Sequence, residues 1–242
     1  MEKVKGGQNL YGLAIGILIL ETRFPRIPGD MGNGTTWNFP VVYRIVKGAS
    51  PARVVREADP TLLKPFIEAA QDLEKMGVKA ITTTCGFLAI FQEEIANAVN
   101  IPVFTSSLMQ VPLVYRMLKN NQKVGIMTVD SRSLTRKHLA AVGADSVPTV
   151  IVGTEDEEEF TRVLLGNELT LDVDKARNDL ITVARRLISQ HPEVGAIVLE
   201  CTNMPVYAKS IQQEVNLPIF DIYTLTNMVY SAVVSKDFAG FM

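Results

Sequence analysis

An internal repeat constrains this chain more than any other feature. Residues 80–104 and 196–220 align without a gap at a spacing of 116 residues. Eight pairs are identical: Ala80/Ala196, Ile81/Ile197, Cys85/Cys201, Ile95/Ile211, Val99/Val215, Asn100/Asn216, Pro102/Pro218 and Phe104/Phe220. Ordinary composition produces only about one or two matches in such a window. Apolar helix positions also correspond, Leu88 with Met204 and Phe91 with Tyr207, and Ile15-Gly16-Ile17-Leu18 resembles Val124-Gly125-Ile126-Met127. The 242 residues therefore read as two copies of one folding unit.

Within each copy, short apolar runs alternate with helical patterns. The runs predict strands at 13–20, 41–46, 80–84 and 103–105, then at 124–128, 149–152, 196–200 and 219–221. Leu88, Phe91, Ile95 and Val99 follow the third strand at helical spacing, and Leu180, Val183, Ala184 and Leu187 share one face of residues 177–190. This alternation predicts an α/β fold of two pseudo-symmetric units, each a four-stranded parallel sheet flanked by helices, with a site at their interface. The first unit is expected to comprise residues 1–118 plus 224–242 and the second residues 119–223.

Composition excludes several classes. Lys plus Arg number 24 and Asp plus Glu 26, for a net charge of −2, so no basic surplus points to nucleic acid or an anionic membrane. With two cysteines, no Cys-x-x-Cys and two distant histidines, no structural zinc site is expected. The run Tyr-Gly-Leu-Ala-Ile-Gly-Ile-Leu-Ile-Leu at 11–20 follows Lys3 and Lys5 and mimics a secretory signal. It is too short to span a bilayer and no small-residue cleavage site follows, so it reads as a buried first strand of a cytoplasmic protein.

Both cysteines fall where a strand hands over to a helix, at the same place in each copy. That corner faces the crevice where open α/β sheets bind ligands. Unpaired N–H groups at the helix start can hold a substrate carboxylate and favour a thiolate. If a pseudo-twofold axis relates the copies, a planar carbanion between the corners has one thiol on each side.

These residues, with Thr82-Thr83-Thr84-Cys85-Gly86 and Leu199-Glu200-Cys201-Thr202-Asn203 around them, resemble the aspartate/glutamate racemase superfamily. That superfamily includes hydantoin racemases, arylmalonate decarboxylase and maleate isomerase. The resemblance extends over nearly the whole chain. It implies two α/β domains with the site between them and cofactor-free proton transfer at a carbon next to a carboxylate, Cys85 and Cys201 acting from opposite faces. It also implies a homo-oligomer. The flanks depart from glutamate racemases: Cys85-Gly86-Phe87 replaces Cys-Asn-Thr, Asn203 replaces a histidine, and Glu21-Thr22 replaces Asp-Ser. Phe87 suits a bulkier or more apolar substrate. Arylmalonate decarboxylases keep only the second cysteine, so the presence of both favours proton exchange on two faces.

The expected function is a racemase or epimerase acting on a small-molecule carboxylate, without cofactor or metal. Expected substrate contacts are Thr84, Gly86, Phe87, Thr128, Ser131, Thr202 and Asn203, with Thr84 orienting Cys85; several of these are equally good helix caps. Ser106, Ser107 and Asp221 read as caps first. His138, expected on a surface helix, and His191, before Pro192, stand away from strand ends. The loop 22–38, rich in Gly and Pro, is expected to border the site, and its Arg23 and Arg26 could clamp a second carboxylate. The acidic run 155–159 reads as a solvated first helical turn. The alternatives are a decarboxylase or cis–trans isomerase of a small dicarboxylate on the same fold, and a non-catalytic small-molecule binding protein.

Overall fold

The computed structural model describes residues 3–242. Among the described residues there are eight strands and eight α-helices. The strands are β1 Ile15–Leu20, β2 Val41–Val46, β3 Ala80–Thr83, β4 Val103–Phe104, β5 Lys123–Thr128, β6 Thr149–Gly153, β7 Val194–Leu199 and β8 Ile219–Phe220. The helices are α1 Leu63–Lys75, α2 Gln92–Asn97, α3 Val111–Arg116, α4 Arg136–Ala140, α5 Phe160–Gly166, α6 Val173–Gln190, α7 Ala208–Val215 and α8 Ile222–Val233. The strands form two separate four-stranded sheets, ordered β2-β1-β3-β4 and β6-β5-β7-β8, and all pairings are parallel. The repeat in sequence is thus a repeat in topology.

The central strands are covered on both faces, which is why they read as unbroken apolar runs. β3 and β7 are buried at every position. Glycine recurs where a helix crosses the central strand. A methyl group on Gly16 would meet Leu73 of α1 at 3.0 Å, and one on Gly125 would meet Leu187 of α6 at 2.8 Å. The shared glycine therefore lets each unit seat its main helix closely on its own sheet. α1 buries Phe66, Ala69, Ala70 and Leu73 at helical spacing, and Gly77, at φ +88°, turns the chain after it. α6 is capped by Asp172, whose side chain accepts from the N–H groups of Asp174 and Lys175. The C-terminal α8 folds back onto the first sheet, packing Ile222 and Leu225 with Ile15, Ile17, Ala80 and Phe104.

In both sheets the chain leaves the central pair in opposite directions, so the strand order reverses between β1 and β3 and between β5 and β7. Such a reversal opens a crevice beyond the carboxyl ends of the strands. Cys85 follows β3 and Cys201 follows β7.

Three local expectations are corrected. His138 lies in the short α4 but is buried, with Nδ1 in a capping box with Thr135 and its ring edge-on to Phe87 at 5.3 Å; burial holds its pKa below the usual histidine value. Arg136, Lys137 and Ala140 take the solvent face of this short helix, and His138 and Leu139 its inner face. The acidic run 155–159 is only partly solvated: Glu159 is buried at the α5 cap, where it accepts from Asp172 N–H and pairs with Arg162, and Glu155 accepts from Ser131. The segment after Cys85 begins as a 3-10 helix, Gly86–Phe91, before α2 takes over. Among the described residues no helix is long and apolar enough to cross a membrane.

Candidate active site

The two corners are built alike and pressed together. Thr84 extends β3 by one hydrogen bond, N–H to Leu18 C=O at 2.9 Å; Glu200 extends β7 in the same way, N–H to Met127 C=O at 2.8 Å. Thr84 and Glu200 are equivalent in the repeat, and so are Gly86 and Thr202. Thr202 donates its hydroxyl to the Thr84 carbonyl at 2.6 Å, crossing from one unit to the other. Gly86 makes the reciprocal approach: a methyl group there would overlap the carboxylate and the carbonyl oxygen of Glu200. Ser107 adds a second crossing hydrogen bond, hydroxyl to Leu199 C=O at 2.6 Å.

Between the corners lies a small cavity lined by Cys85, Cys201 and Glu200. Its walls are mostly apolar, with Leu20, Phe24, Val55, Phe87, Val129, Leu164 and Leu165, and Arg26 supplies a cation. The backbone N–H groups of Phe87 and Leu88 stabilise a Cys85 thiolate, and that of Asn203 a Cys201 thiolate. The Cys201 thiol stands 3.5 Å from Asn203 Oδ1.

Burial dominates the acid–base character. The Cys85 thiol is pushed up to about 12, first by loss of solvent and then by the Glu200 charge, against the N–H groups and Arg26. Cys201 is raised well above the ordinary thiol value for the same two leading reasons, and ionisation of Cys85 opposes it further. Glu200 is lifted to about 8 by burial, with only the Thr128 hydroxyl holding it down. The expected thiolate-favouring field is therefore present but outweighed; both cysteines rest as thiols at neutral pH. The cluster is coupled, and its first ionisation centres on Glu200.

Of the residues expected from sequence, Cys85, Cys201, Thr84, Gly86, Phe87, Thr202 and Asn203 all line the cavity. Thr128 and Ser131 do not. Thr128 is fully buried beneath the site with its hydroxyl 2.7 Å from Glu200 Oε2, and Ser131 is spent on Glu155. The Cys85 backbone is held by Thr83, whose hydroxyl accepts from Cys85 N–H at 3.2 Å, while Thr84 Oγ1 accepts from Leu20 N–H at 3.3 Å. The neighbour facing inward, not the adjacent one, orients the cysteine. Ser106 and Asp221 cap their helices through side chains.

The loop 22–38 is folded onto the second corner. Arg26 pairs with Asp30 at 2.7 Å, bonds Thr22 at 3.0 Å and lies 4.6 Å over the Phe24 ring; Asp30 also receives Asn203 Nδ2. Arg26 is thus committed, and Arg23 is exposed. Sequence reasoning missed Glu200 and Asp30. Glu200 had a legible signal, a carboxylate at the end of an otherwise apolar buried strand; Asp30, in an aperiodic loop, had none. Among the described residues no group of three or more His, Cys, Asp or Glu side chains is placed to hold a metal ion.

Two parallel α/β units thus close two thiols and a carboxyl into one cavity at their strand ends. Residues 49–226 match the sequence profile of the Asp/Glu/hydantoin racemase family, and the chain belongs to that family. Solved structures agree on the fold. A glycine-to-cysteine variant of arylmalonate decarboxylase superposes with a TM-score of 0.62 at 16% identity, covering 91% of this chain and 92% of that one. A glutamate racemase of Bacillus anthracis gives 0.59 at 15% identity, covering 91% and 81%. Among curated proteins, a dimethylsulfoniopropionate lyase of Durusdinium sp. clade D is 30% identical over 95% of this chain and 75% of its own length. Dimethylsulfoniopropionate lyase 7 of Emiliania huxleyi is 28% identical over 94% and 69%.

Proposed function

We propose that this protein is a lyase that removes a proton α to a carboxylate and expels a leaving group from the β carbon. Dimethylsulfoniopropionate, the compound named for its relatives, has this layout: a carboxylate at one end and a sulfonium on the β carbon. A base takes the α proton, the C–H electrons form the double bond, and the C–S pair leaves on dimethyl sulfide, giving acrylate. No redox partner is needed.

One observation carries this reading: two protonated thiols and one carboxyl converge on a single small, mostly apolar cavity, in a chain alike over 95% of its length to a lyase. Cys85 is the better candidate base. Its thiolate has two N–H partners and the Arg26 charge in its favour, whereas Cys201 faces the added opposition of Cys85 and Asp30. Cys85 gives up its thiol proton to solvent, and its thiolate then receives the α proton of the substrate. Cys201, still a thiol, and the Asn203 N–H beside it serve the negative charge that develops on the substrate carboxylate. The apolar wall excludes water, which strengthens each of these interactions.

A second reading is supported by the same pair of thiols. With one at each equivalent corner, a substrate lacking a β leaving group would be reprotonated on either face, which is racemisation. One experiment separates the two: incubation with dimethylsulfoniopropionate and with chiral α-substituted acids, following acrylate and optical rotation. Acrylate formation supports the lyase; loss of rotation without acrylate supports the racemase.

A further inference from the structure

Glu200 has more to do than the elimination itself demands. It is fully buried, and Oε2 accepts from Thr128 at 2.7 Å while Oε1 has no hydrogen-bond partner. An unpartnered buried carboxylate oxygen is costly, and its retention calls for a reason. The repeat sharpens the point. The equivalent residue in the first unit is Thr84, and the residue facing it there is Thr202; facing Glu200 the chain has glycine, the residue that leaves room for the carboxyl. The symmetry of the two corners is broken at one pair of positions, and what the break admits is an acid.

The charge around the cavity is unbalanced. Cys85 faces Glu200 from the first corner and Cys201 adjoins it on the second, both acidic groups. From the loop come Arg26 and Asp30, which neutralise each other at 2.7 Å. No uncommitted cation lines the cavity among the described residues, so an ionised Glu200 has no counter-charge of its own.

We propose that Glu200 is the cation-recognition group of this cavity, selecting carboxylates that carry a permanent positive charge, such as a sulfonium or quaternary ammonium, on their carbon chain. The inference rests on the lyase reading and names its substrate class. Phe24 and Phe87 complete the receptor, since aromatic walls receive onium groups and exclude water from them. Binding is coupled to ionisation. In the free protein the Glu200 carboxyl, at about 8, holds its proton at pH 7. A cation in the cavity favours the carboxylate, and the proton leaves to solvent as the ligand enters.

The test compares trimethylammonio-propionate, whose amine is a poor leaving group, with its all-carbon isostere, in which carbon replaces nitrogen. Binding is measured calorimetrically in buffers of different ionisation enthalpy. The wild-type protein should bind the cation about tenfold or more tightly than the isostere and release close to one proton per cation at pH 7, with none released by the isostere. Glu200→Gln should lose both the preference and the release. The release should also fade in the wild type towards about pH 9.5, where Glu200 is already ionised, while the preference persists; this arm decides the matter if the variant does not fold. No preference in the wild type, preference and release surviving in Glu200→Gln, or release undiminished at high pH overturns the proposal. Acrylate formation from the sulfonium substrate, followed separately, reports on the lyase reading alone.

Discussion

Gly86 and Glu200 meet so closely that a methyl group on the glycine would overlap both the carboxylate and the carbonyl oxygen of the glutamate. The contact joins the two units at the floor of the cavity. It also explains why the sequence reads Cys-Gly-Phe at the first corner and Cys-Thr-Asn at the second. Thr202 can afford a side chain because the residue facing it is Thr84, whose carbonyl accepts its hydroxyl.

Gly86→Ala should therefore damage the site more than a surface glycine would. Relieving the overlap means moving a buried carboxyl or parting the corners, at a cost of about 1–3 kcal/mol. The expected outcome is a lower denaturant midpoint and loss of activity, whereas Gly34→Ala, where a methyl group meets nothing within 4 Å, should leave both near wild type. Unchanged stability and activity in Gly86→Ala would contradict the packing described.

The thiols should differ in kind. Cys85→Ser removes the base and should lower elimination by about 10²–10⁴-fold, together with α-proton exchange into heavy water. Cys201→Ser should lower elimination while leaving more of that exchange, because the base is intact. Exchange lost only in Cys201→Ser would reverse the two roles. In the free protein both thiols should react with iodoacetamide at neutral pH more slowly than a free cysteine, since both are buried and protonated.

Glu200 gives stability a definite pH dependence. Its carboxyl is held at about 8 in the folded protein against 4.5 for an ordinary glutamate. Between these values the native state binds more protons than the unfolded chain, so stability is full at low pH and falls as pH rises through this window. The loss is on the order of 3–5 kcal/mol, and Glu200→Gln should flatten it. Urea midpoints from pH 5 to pH 9 provide the measurement; a wild-type midpoint that rises over that range would be incompatible with a buried protonated Glu200.

Asp30 holds the loop to the site through Arg26, Gly32 and Asn203. Asp30→Ala should free Arg26 and release the cavity wall, raising KM for a cationic substrate as an unpaired guanidinium repels it. Hydrogen exchange of residues 22–38 should accelerate in parallel. If protection and KM stay unchanged, the loop is held by its apolar anchors Phe24, Met31 and Trp37 alone.

Much of this protein was determined locally, along the chain. The central strands β1, β3, β5 and β7 were legible because strands buried on both faces of a parallel sheet must be apolar, and the edge strands as short apolar runs between helical patterns. The twofold plan was legible because each copy must pack its own helices, so Gly16 recurs as Gly125 and Ile95 as Ile211. Cys85 and Cys201 stood out because a strand end before a helix is a position the fold itself singles out. What only the tertiary structure decided was how the two corners face each other. Seventy-odd residues separate Thr128 from Glu200, and 173 separate Asp30 from Asn203. No periodicity carries such pairings. Nor could sequence reveal the protonation of the thiols: the N–H groups that favour a thiolate come from the adjacent turn, but the burial and the Glu200 charge that outweigh them arise only when the second unit closes over the first.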